Sequence, residues 1–172
     1  MKSEALVPVE EYLRTTYHPD CDYVDGEVLE RNLGERDHSR IQREFIFFFR
    51  SRQQAWSVFV FPEQRVQVSP KRFRVPDICV YLGEEPQDQI FRTPPFICIE
   101  ILSPEDRWER IQQRIDDYLR FGVPYVWVVN PRERRAWAYT NDGSTEIRDG
   151  MLRTENPSMA VPLAEIFGEA GR

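Results

Sequence analysis

Lysine is nearly absent from this sequence. Among 23 basic residues in a chain of 172, only Lys2 and Lys71 are lysines, and the other 21 are arginines. Chemistry that needs a lysine amine is therefore restricted to two positions. The arginine excess has two open explanations: a coding bias, or a need for planar, permanently charged groups that bind phosphate and carboxylate in a fork. The net charge of −6 argues against a broad basic surface for nucleic acid, although a local basic groove is compatible with it.

Long apolar runs are absent too. The longest, residues 45–49 and 123–129, are far shorter than the roughly 20 apolar residues that cross a bilayer. The N-terminal residues turn acidic without the apolar stretch of a secretory signal. The cysteines Cys21, Cys79 and Cys98 are odd in number and form no CxxC pair, which is typical of small buried side chains in a reducing compartment. We therefore expect a soluble cytoplasmic protein with no membrane partner.

Hydrophobic periodicity predicts an alternation of helices and strands. Apolar residues at helical spacing predict helices over residues 9–16, 37–53 and 105–121, with Asp37 as the N-cap of the second and Trp108 on the buried stripe of the third. Shorter apolar or alternating runs predict strands over residues 22–29 (a hairpin), 57–61, 65–68, 77–82, 96–102, 124–129 and 134–139. No repeat or linker divides the chain, so we expect a single domain over residues 1–172. The order of elements predicts an α/β fold with a mixed central β-sheet flanked by α-helices.

Glu100 is the physically unusual residue, because it lies inside the apolar run of residues 96–102. Burying a carboxylate costs several kcal/mol unless it is protonated, paired or bound to a cation. Asp77 lies at the head of another apolar run, directly after Pro76, and is therefore expected at a strand end. If the two strands are neighbours in the sheet, the two carboxylates meet at one edge.

The residues alone leave two interpretations of this pair open. Two close carboxylates repel each other unless a divalent cation bridges them, and hard oxygen ligands with open positions suit Mg²⁺ or Mn²⁺. Alternatively, Glu100 pairs with one of the many arginines in a buried ion pair. The spacing favours neither interpretation over the other.

Several motifs together resemble a known family. Pro76-Asp77 followed by Glu100-Ile101-Leu102 resembles the signature of the PD-(D/E)xK nuclease superfamily. The likeness to the Uma2 family of restriction-endonuclease-like proteins spans residues 8–140 and rests on Asp25-Gly26-Glu27, His38, Pro76-Asp77, Glu100 to Pro104, Tyr118, Gly122-Val123-Pro124, Trp127 and Asn130-Pro131. Each motif alone is common by chance, whereas their order and spacing together are specific.

The resemblance implies a restriction-endonuclease-like core in which Asp77 and Glu100 hold Mg²⁺ or Mn²⁺. The superfamily takes a stabilising cation from the third signature position, which is Leu102 here. In this branch the resemblance places the substitute cation four residues before Tyr118, at Arg114. Arginine stabilises negative charge, but its pKa above about 12 prevents it from acting as a base.

Four further residues are weaker candidates. Glu27 resembles the family's N-terminal acidic position and is a candidate catalytic third carboxylate near the metal, with Glu44 as its rival. His38 occupies the family's place for a histidine, where it either contacts phosphate or only caps and packs against its neighbours. Lys71 would reach the site only through an unusual fold-back of its loop.

Three arginines of the predicted helix 105–121 share one face, since Arg107, Arg110 and Arg114 are three and four residues apart. They form either a phosphate-facing stripe or a solvated surface. For Arg114 the motif favours function. An exposed strand around Trp137 and Tyr139 makes a homodimer a further expectation.

The predicted function is a Mg²⁺-dependent endonuclease that hydrolyses DNA phosphodiester bonds and binds DNA through a local basic groove. The alternative is a catalytically degenerate module that keeps the nuclease fold and binds nucleic acid or a protein partner, because the motif lysine is missing.

Overall fold

The computed structural model describes residues 5–32 and 34–168. Its helices are α1 Val9–Arg14, α2 Arg36–Ser51, α3 Gln53–Trp56, α4 Trp108–Phe121 and α5 Leu163–Phe167. Its strands are β1 Asp22–Val24, β2 Glu27–Leu29, β3 Val58–Pro62, β4 Val66–Ser69, β5 Arg72–Arg74, β6 Ile78–Leu82, β7 Ile97–Ile101, β8 Tyr125–Asn130, β9 Arg135–Thr140, β10 Gly143–Glu146, β11 Met151–Thr154 and β12 Met159–Pro162. No helix within these two ranges is long and apolar enough to cross a membrane.

A six-stranded sheet forms the centre of the fold, in the order β10-β9-β8-β7-β6-β3. Strands β7 and β8 run parallel, and the other neighbouring pairs are antiparallel. A parallel pair needs a crossover connection, which α4 supplies. Helices α2 and α5 pack on one face of the sheet and α4 on the other. The predicted α/β fold with a mixed sheet flanked by helices is confirmed.

Alternating side chains of β6 and β7 enter two separate apolar layers. Ile78 and Ile99 pack into the layer covered by α2 and α5, whereas Cys79 and Cys98 pack into the layer covered by α4. All three cysteines are free and buried, as predicted. Because side chains alternate along a strand, Glu100 lies on the α4 side of the sheet.

A second sheet, of order β2-β1-β5-β4, lies beside α4. The hairpin β1-β2 turns at Asp25 and Gly26, whose φ values of 51° and 103° suit the Asp-Gly turn that the sequence indicates. Strand β5 is not predicted from the sequence, because Phe73 is its one apolar residue and arginines flank it. This short strand pairs with β1 and carries Arg74 into the buried interior.

Two helix starts differ from the predictions. The residue before α2 is Glu35, so Asp37 is wrong as the N-cap and lies within the first turn. Helix α4 begins at Trp108, which is 55% exposed and does not belong to the buried stripe. The preceding residues form a turn instead of a helix, because the Asp106 carboxylate accepts a hydrogen bond from the backbone N–H of Ser103 at 2.6 Å.

The C-terminal part holds a hairpin, β11-β12, that the sequence pattern did not predict. On β9, Trp137 and Tyr139 are half-buried against the α4 layer instead of exposed, which removes the apolar surface expected there. The other predicted helices and strands are confirmed to within a few residues. The single domain over residues 1–172 stays a prediction.

Candidate active site

Asp77 and Glu100 come together because their strands are neighbours. Ile78 of β6 faces Ile99 of β7 in the antiparallel register, so the two carboxylates lie one position beyond this pair. Asp77 is 4% exposed and Glu100 is 1% exposed. Both line a pocket of about 20 Å³, which is large enough for one ion or one water molecule.

Three donors surround the carboxylate of Asp77. The backbone N–H of Ile101 donates to Oδ2 at 2.7 Å, and Nη2 of Arg31 donates to Oδ1 at 2.5 Å. His38 Nε2 lies 3.3 Å from the same Oδ1. Burial opposes ionisation, but the His38 hydrogen bond and the charge of Arg31 outweigh it and hold the pKa of Asp77 well below its usual range.

Glu100 holds its proton much more tightly than Asp77 does. Tyr118 donates its hydroxyl to Oε1 at 2.6 Å, and Nη2 of Arg114 lies 3.1 Å from the same oxygen. Burial nevertheless raises the pKa of Glu100 to about 8; Arg114 opposes this rise and the charge of Asp77 adds to it. At neutral pH, without a cation, Asp77 is therefore ionised while Glu100 is mostly protonated, and such a difference between neighbouring carboxyl groups is typical of acid–base sites.

Arg114 reaches this carboxylate pair from α4. Its Nη2 donates to the carbonyl oxygen of Val75 at 2.7 Å, and its Nε lies 3.5 Å from Oδ2 of Asp22. Leu102, at the third signature position, packs against the apolar layer beside α4. The structure thus places an arginine guanidinium beside Glu100, where the resemblance implies a cation.

A second buried ion-pair network adjoins Arg114 through Asp22. Arg74 is 2% exposed and donates from Nη1 to Asp22 at 3.0 Å and from Nε to Asp117 at 2.8 Å. Asp22 also accepts the backbone N–H of Val75 at 2.9 Å. These contacts join β1, β5 and α4, and they fix the helix that carries Arg114.

An open cleft of about 330 Å³ adjoins the small pocket, and Arg31 and Arg114 line both. The cleft, hereafter the arginine cleft, is also lined by Arg74, Arg107 and Arg110. Arg107 and Arg110 are exposed at the start of α4, so phosphate can reach them from solvent. Carboxylates line the cleft as well, and its basic character is therefore local.

Three other predicted candidates lie elsewhere. In the described part of the chain, Glu27, Glu44 and Lys71 line neither the small pocket nor the arginine cleft. Glu27 and Lys71 are exposed. Glu44 forms an ion pair with Arg43, whose Nη2 lies 2.6 Å from Oε1 of the glutamate. Across residues 5–32 and 34–168, no cluster of three or more His, Cys, Asp or Glu side chains is placed to hold a metal ion. The candidate ligands are Asp77 and Glu100; Asp106 also lines the small pocket, where its carboxylate accepts hydrogen bonds from Ser103 and Asn32.

This ligand set fits one hard divalent cation. Mg²⁺ in phosphate-handling sites is commonly held by one or two carboxylates, with water and substrate phosphate in the remaining positions. Both oxygens of Asp77 already accept hydrogen bonds. Cation binding at Oδ1 therefore requires Arg31 or His38 to move away from that oxygen.

Two residues of the site, Arg31 and Asp22, carry no signal in the sequence pattern. Arg31 lies in the irregular segment between β2 and α2, and Asp22 begins a three-residue strand. Tyr118 is fully buried, as its helical spacing predicts, but it also donates to Glu100. A buried tyrosine hydroxyl needs a hydrogen-bond partner, so the predicted burial was itself a signal for this contact.

Comparison with known proteins identifies the family. The model of the Uma2 family, described as "Putative restriction endonuclease", matches residues 9–165. The chain belongs to the Uma2 family. A crystal structure described as "a putative nuclease belonging to DUF820" from Anabaena variabilis ATCC 29413 is similar to this Uma2 chain, with a TM-score of 0.80 at 22% identity over 94% of this chain and 97% of that one. No curated protein matches the chain. The predicted restriction-endonuclease-like fold is thus confirmed.

Proposed function

We propose that this Uma2 protein is a metal-dependent endonuclease that hydrolyses DNA phosphodiester bonds. The observation that carries the proposal is the pair Asp77 and Glu100, which share one small pocket beside the arginine cleft. Carboxylates that hold a cation, next to arginines that bind phosphate, are the components that phosphodiester hydrolysis requires. Membership of the Uma2 family supports the same class of activity.

Asp77 and Glu100 are the residues that would hold Mg²⁺ or Mn²⁺. When bound there, such a cation polarises a phosphate oxygen and lowers the pKa of an attacking water. Hydrolysis forms a bond from the water oxygen to phosphorus and breaks the bond to the leaving oxygen, while negative charge grows on the phosphoryl oxygens. Arg114, 3.1 Å from Glu100, stabilises that charge but does not accept the proton of the water. That proton would pass to a substrate phosphate oxygen or to solvent, and the leaving oxygen would take a proton from solvent.

Other side chains bind the substrate and orient the carboxylates. Tyr118 fixes the orientation of Glu100 through its 2.6 Å hydrogen bond. His38 lines the small pocket and contacts Asp77, so it would orient that carboxylate; its contact with phosphate stays a prediction. Arg107 and Arg110 bind the phosphates on either side of the cleaved bond from the arginine cleft.

Calorimetric titration with Mn²⁺ tests the metal site. The wild type should bind Mn²⁺, and Asp77→Ala should not, because it loses one of the two candidate ligands. Asp77→Asn is the matched control for folding, since it keeps the size of the side chain and should also lose binding. Equal heat from wild type and both variants, or no heat from any, would contradict the metal site.

Plasmid nicking tests the reaction itself. The wild type should nick supercoiled DNA in Mg²⁺ or Mn²⁺, and Glu100→Ala should abolish nicking. Nicking that persists in Glu100→Ala would show that this pocket is not the active site.

A second candidate function is a catalytically degenerate module that binds nucleic acid or a protein partner. Three observations favour it: the signature lysine is Leu102, Arg114 cannot act as a base, and both oxygens of Asp77 already accept hydrogen bonds. Nicking by Arg114→Lys but not by the wild type would favour this candidate. Nicking by the wild type that depends on Glu100 would favour the enzyme.

The homodimer and the cytoplasmic location stay predictions. The side chains expected at a dimer interface, Trp137 and Tyr139, are half-buried within the protomer. Sedimentation analysis of the purified protein would measure the oligomeric state directly.

A further inference from the structure

Arg31 pairs with Asp77 through only part of its guanidinium group. Its side chain is 9% exposed, and its ion pair with Asp77 uses Nη2 alone. The Oδ1 atom that it contacts lies 3.3 Å from His38 Nε2 as well, so a guanidinium and an imidazole share one carboxylate oxygen. The Nε atom of Arg31 is buried and finds no hydrogen-bond partner among the residues that the structure describes.

Other arginines of the fold pair with carboxylates through two nitrogens, although Nη2 of Arg74 and Nε of Arg114 are, like Nε of Arg31, buried without a hydrogen-bond partner among the described residues. Arg65 donates to Asp20 from both Nε and Nη2, at 2.7 and 2.5 Å. Arg74 donates from Nε to Asp117 and from Nη1 to Asp22. Each of these guanidinium groups donates from two nitrogens, and paired donation of this kind strengthens arginine ion pairs. Arg31 uses one, and it is correspondingly easier to displace.

The position of Arg31 joins the two cavities of the site. It lines the small pocket with Asp77 and Glu100, and it also lines the arginine cleft with Arg107 and Arg110. A cation that binds Asp77 repels the guanidinium, because two positive charges then compete for one carboxylate. The arginine cleft is the adjacent space into which the guanidinium can turn.

We propose that Arg31 is a displaceable counter-ion of Asp77, which a divalent cation releases to bind a backbone phosphate of the nucleic acid in the arginine cleft. The proposal rests on the proposed nuclease function and adds one residue to it. Arg31 neutralises Asp77 when the cation is absent. It presents two free edges of its guanidinium to phosphate when the cation is present. Cation binding and nucleic-acid binding are thereby coupled through one side chain.

Mn²⁺ titration of Arg31→Gln tests the first half of the proposal. Removing the competing cation should tighten Mn²⁺ binding about fivefold to tenfold relative to wild type, a change equivalent to one weak ion pair. Arg31→Lys keeps the charge and should bind Mn²⁺ with nearly the wild-type affinity. Arg148→Gln is the matched control, because Arg148 is 84% exposed and lies outside both cavities. Weaker or unchanged Mn²⁺ binding by Arg31→Gln would overturn the proposal.

Binding of a duplex oligonucleotide at several salt concentrations tests the second half. One lost phosphate contact should reduce the slope of log affinity against log salt by about 0.9. In Ca²⁺, which takes the same oxygen ligands, Arg31→Gln should show this smaller slope, whereas in EDTA its slope should equal that of the wild type. A residue with a merely structural role would change both conditions alike. Equal slopes in Ca²⁺ would overturn the proposal.

The two proposals fail in different ways. Absence of Mn²⁺ binding in the wild type and in every variant would overturn the proposed metal site itself. Mn²⁺ binding by the wild type, with the same affinity in Arg31→Gln, would overturn the role of Arg31 alone.

Discussion

Arg114 and Glu100 join α4 to the central sheet, with Nη2 of the arginine 3.1 Å from Oε1 of the glutamate. The same arginine donates to the carbonyl oxygen of Val75 and lies near Asp22. One side chain therefore has two proposed functions: its contacts join α4 to the central sheet and to β1, and it is the cation beside the proposed metal ligands. Substitutions at this position must separate stability from activity.

Arg114→Ala should destabilise the fold by about 1–3 kcal/mol, because it removes the donor to the Val75 carbonyl and the contact with Glu100, while Asp22 keeps its ion pair with Arg74. Arg114→Lys keeps the charge and should cost less. If Arg114 stabilises the charge of the reaction, nicking by correctly folded Arg114→Ala should fall about 100-fold. Urea denaturation and plasmid nicking measure the two effects.

Arg120→Ala is the control on the same helix, because Arg120 is 74% exposed and its ion pair with Asp117 spans 3.7 Å. Its stability should stay within about 0.5 kcal/mol of the wild type. Equal decreases of the free energy of unfolding in Arg114→Ala and Arg120→Ala would mean that the buried contacts of Arg114 contribute no more stability than an exposed ion pair.

Glu100 should make the metal-free protein less stable as the pH rises. Its pKa is raised to about 8, so between its ordinary pKa near 4.5 and about 8 the folded protein binds a proton that the unfolded chain has released. Within that window the free energy of unfolding falls with increasing pH, by at most roughly 1.4 kcal/mol per pH unit. Glu100→Gln cannot ionise and should lose this dependence.

The difference between wild type and Glu100→Gln isolates this effect. Other groups titrate in the same range, above all His38. Burial lowers the pKa of His38, but the hydrogen bond and the charge of Asp77 outweigh burial, so the pKa is raised. The contribution of His38 is lost as the pH rises, and it is present in both proteins. Urea denaturation in EDTA from pH 5 to 9 measures this difference. The free energy of unfolding of Glu100→Gln should increase relative to that of the wild type up to about pH 8 and stay constant relative to it above that pH. Parallel curves would contradict the raised pKa.

The sequence predicted the carboxylate pair of the site better than it predicted the residues around that pair. Glu100 was predictable as an unusual residue, because a carboxylate in an apolar strand is costly, and the family resemblance implied Asp77 as its neighbour. That the two strands are adjacent was a condition of this prediction, which the structure meets. Arg114 followed from the helical motif. Arg31 was not predictable, since a residue in an irregular segment has no periodicity that indicates its direction. Its partner is 46 positions away along the chain.

The second sheet shows the same limit. The strand that carries Arg74 is three residues long and reads as charged, and only its pairing with β1 buries the arginine. The predicted burial of Trp108 was wrong for the opposite reason. Its spacing matches the apolar stripe of α4, but the residue lies in the first turn of the helix, beyond the edge of the apolar layer. Tertiary pairing thus decides positions that local patterns leave open.

Arg74→Ala should be strongly destabilising. Its guanidinium is 2% exposed and is the common partner of Asp22 and Asp117, so its loss takes a buried ion pair from each carboxylate. Asp117 keeps Arg72 at 2.8 Å, and Asp22 keeps the longer contact with Arg114 at 3.5 Å. The expected cost is about 3–5 kcal/mol. Arg153→Ala is the matched control, since Arg153 and Asp149 form an exposed pair that should contribute about 0–1 kcal/mol. Urea denaturation of both variants checks the contrast, and similar values for the two would refute it.

Arg107 and Arg110 should contribute to DNA binding without contributing to stability. Both are exposed side chains of the arginine cleft, so the double substitution Arg107→Gln, Arg110→Gln should change the free energy of unfolding by less than about 0.5 kcal/mol. If each contacts one phosphate, the slope of log affinity against log salt should decrease by about 1.8 on duplex DNA. Arg148→Gln should leave the slope unchanged, because that side chain lies outside the cleft. Fluorescence anisotropy with a labelled duplex measures the slopes, and an unchanged slope in the double variant would show that the start of α4 is a solvated surface instead of a phosphate site.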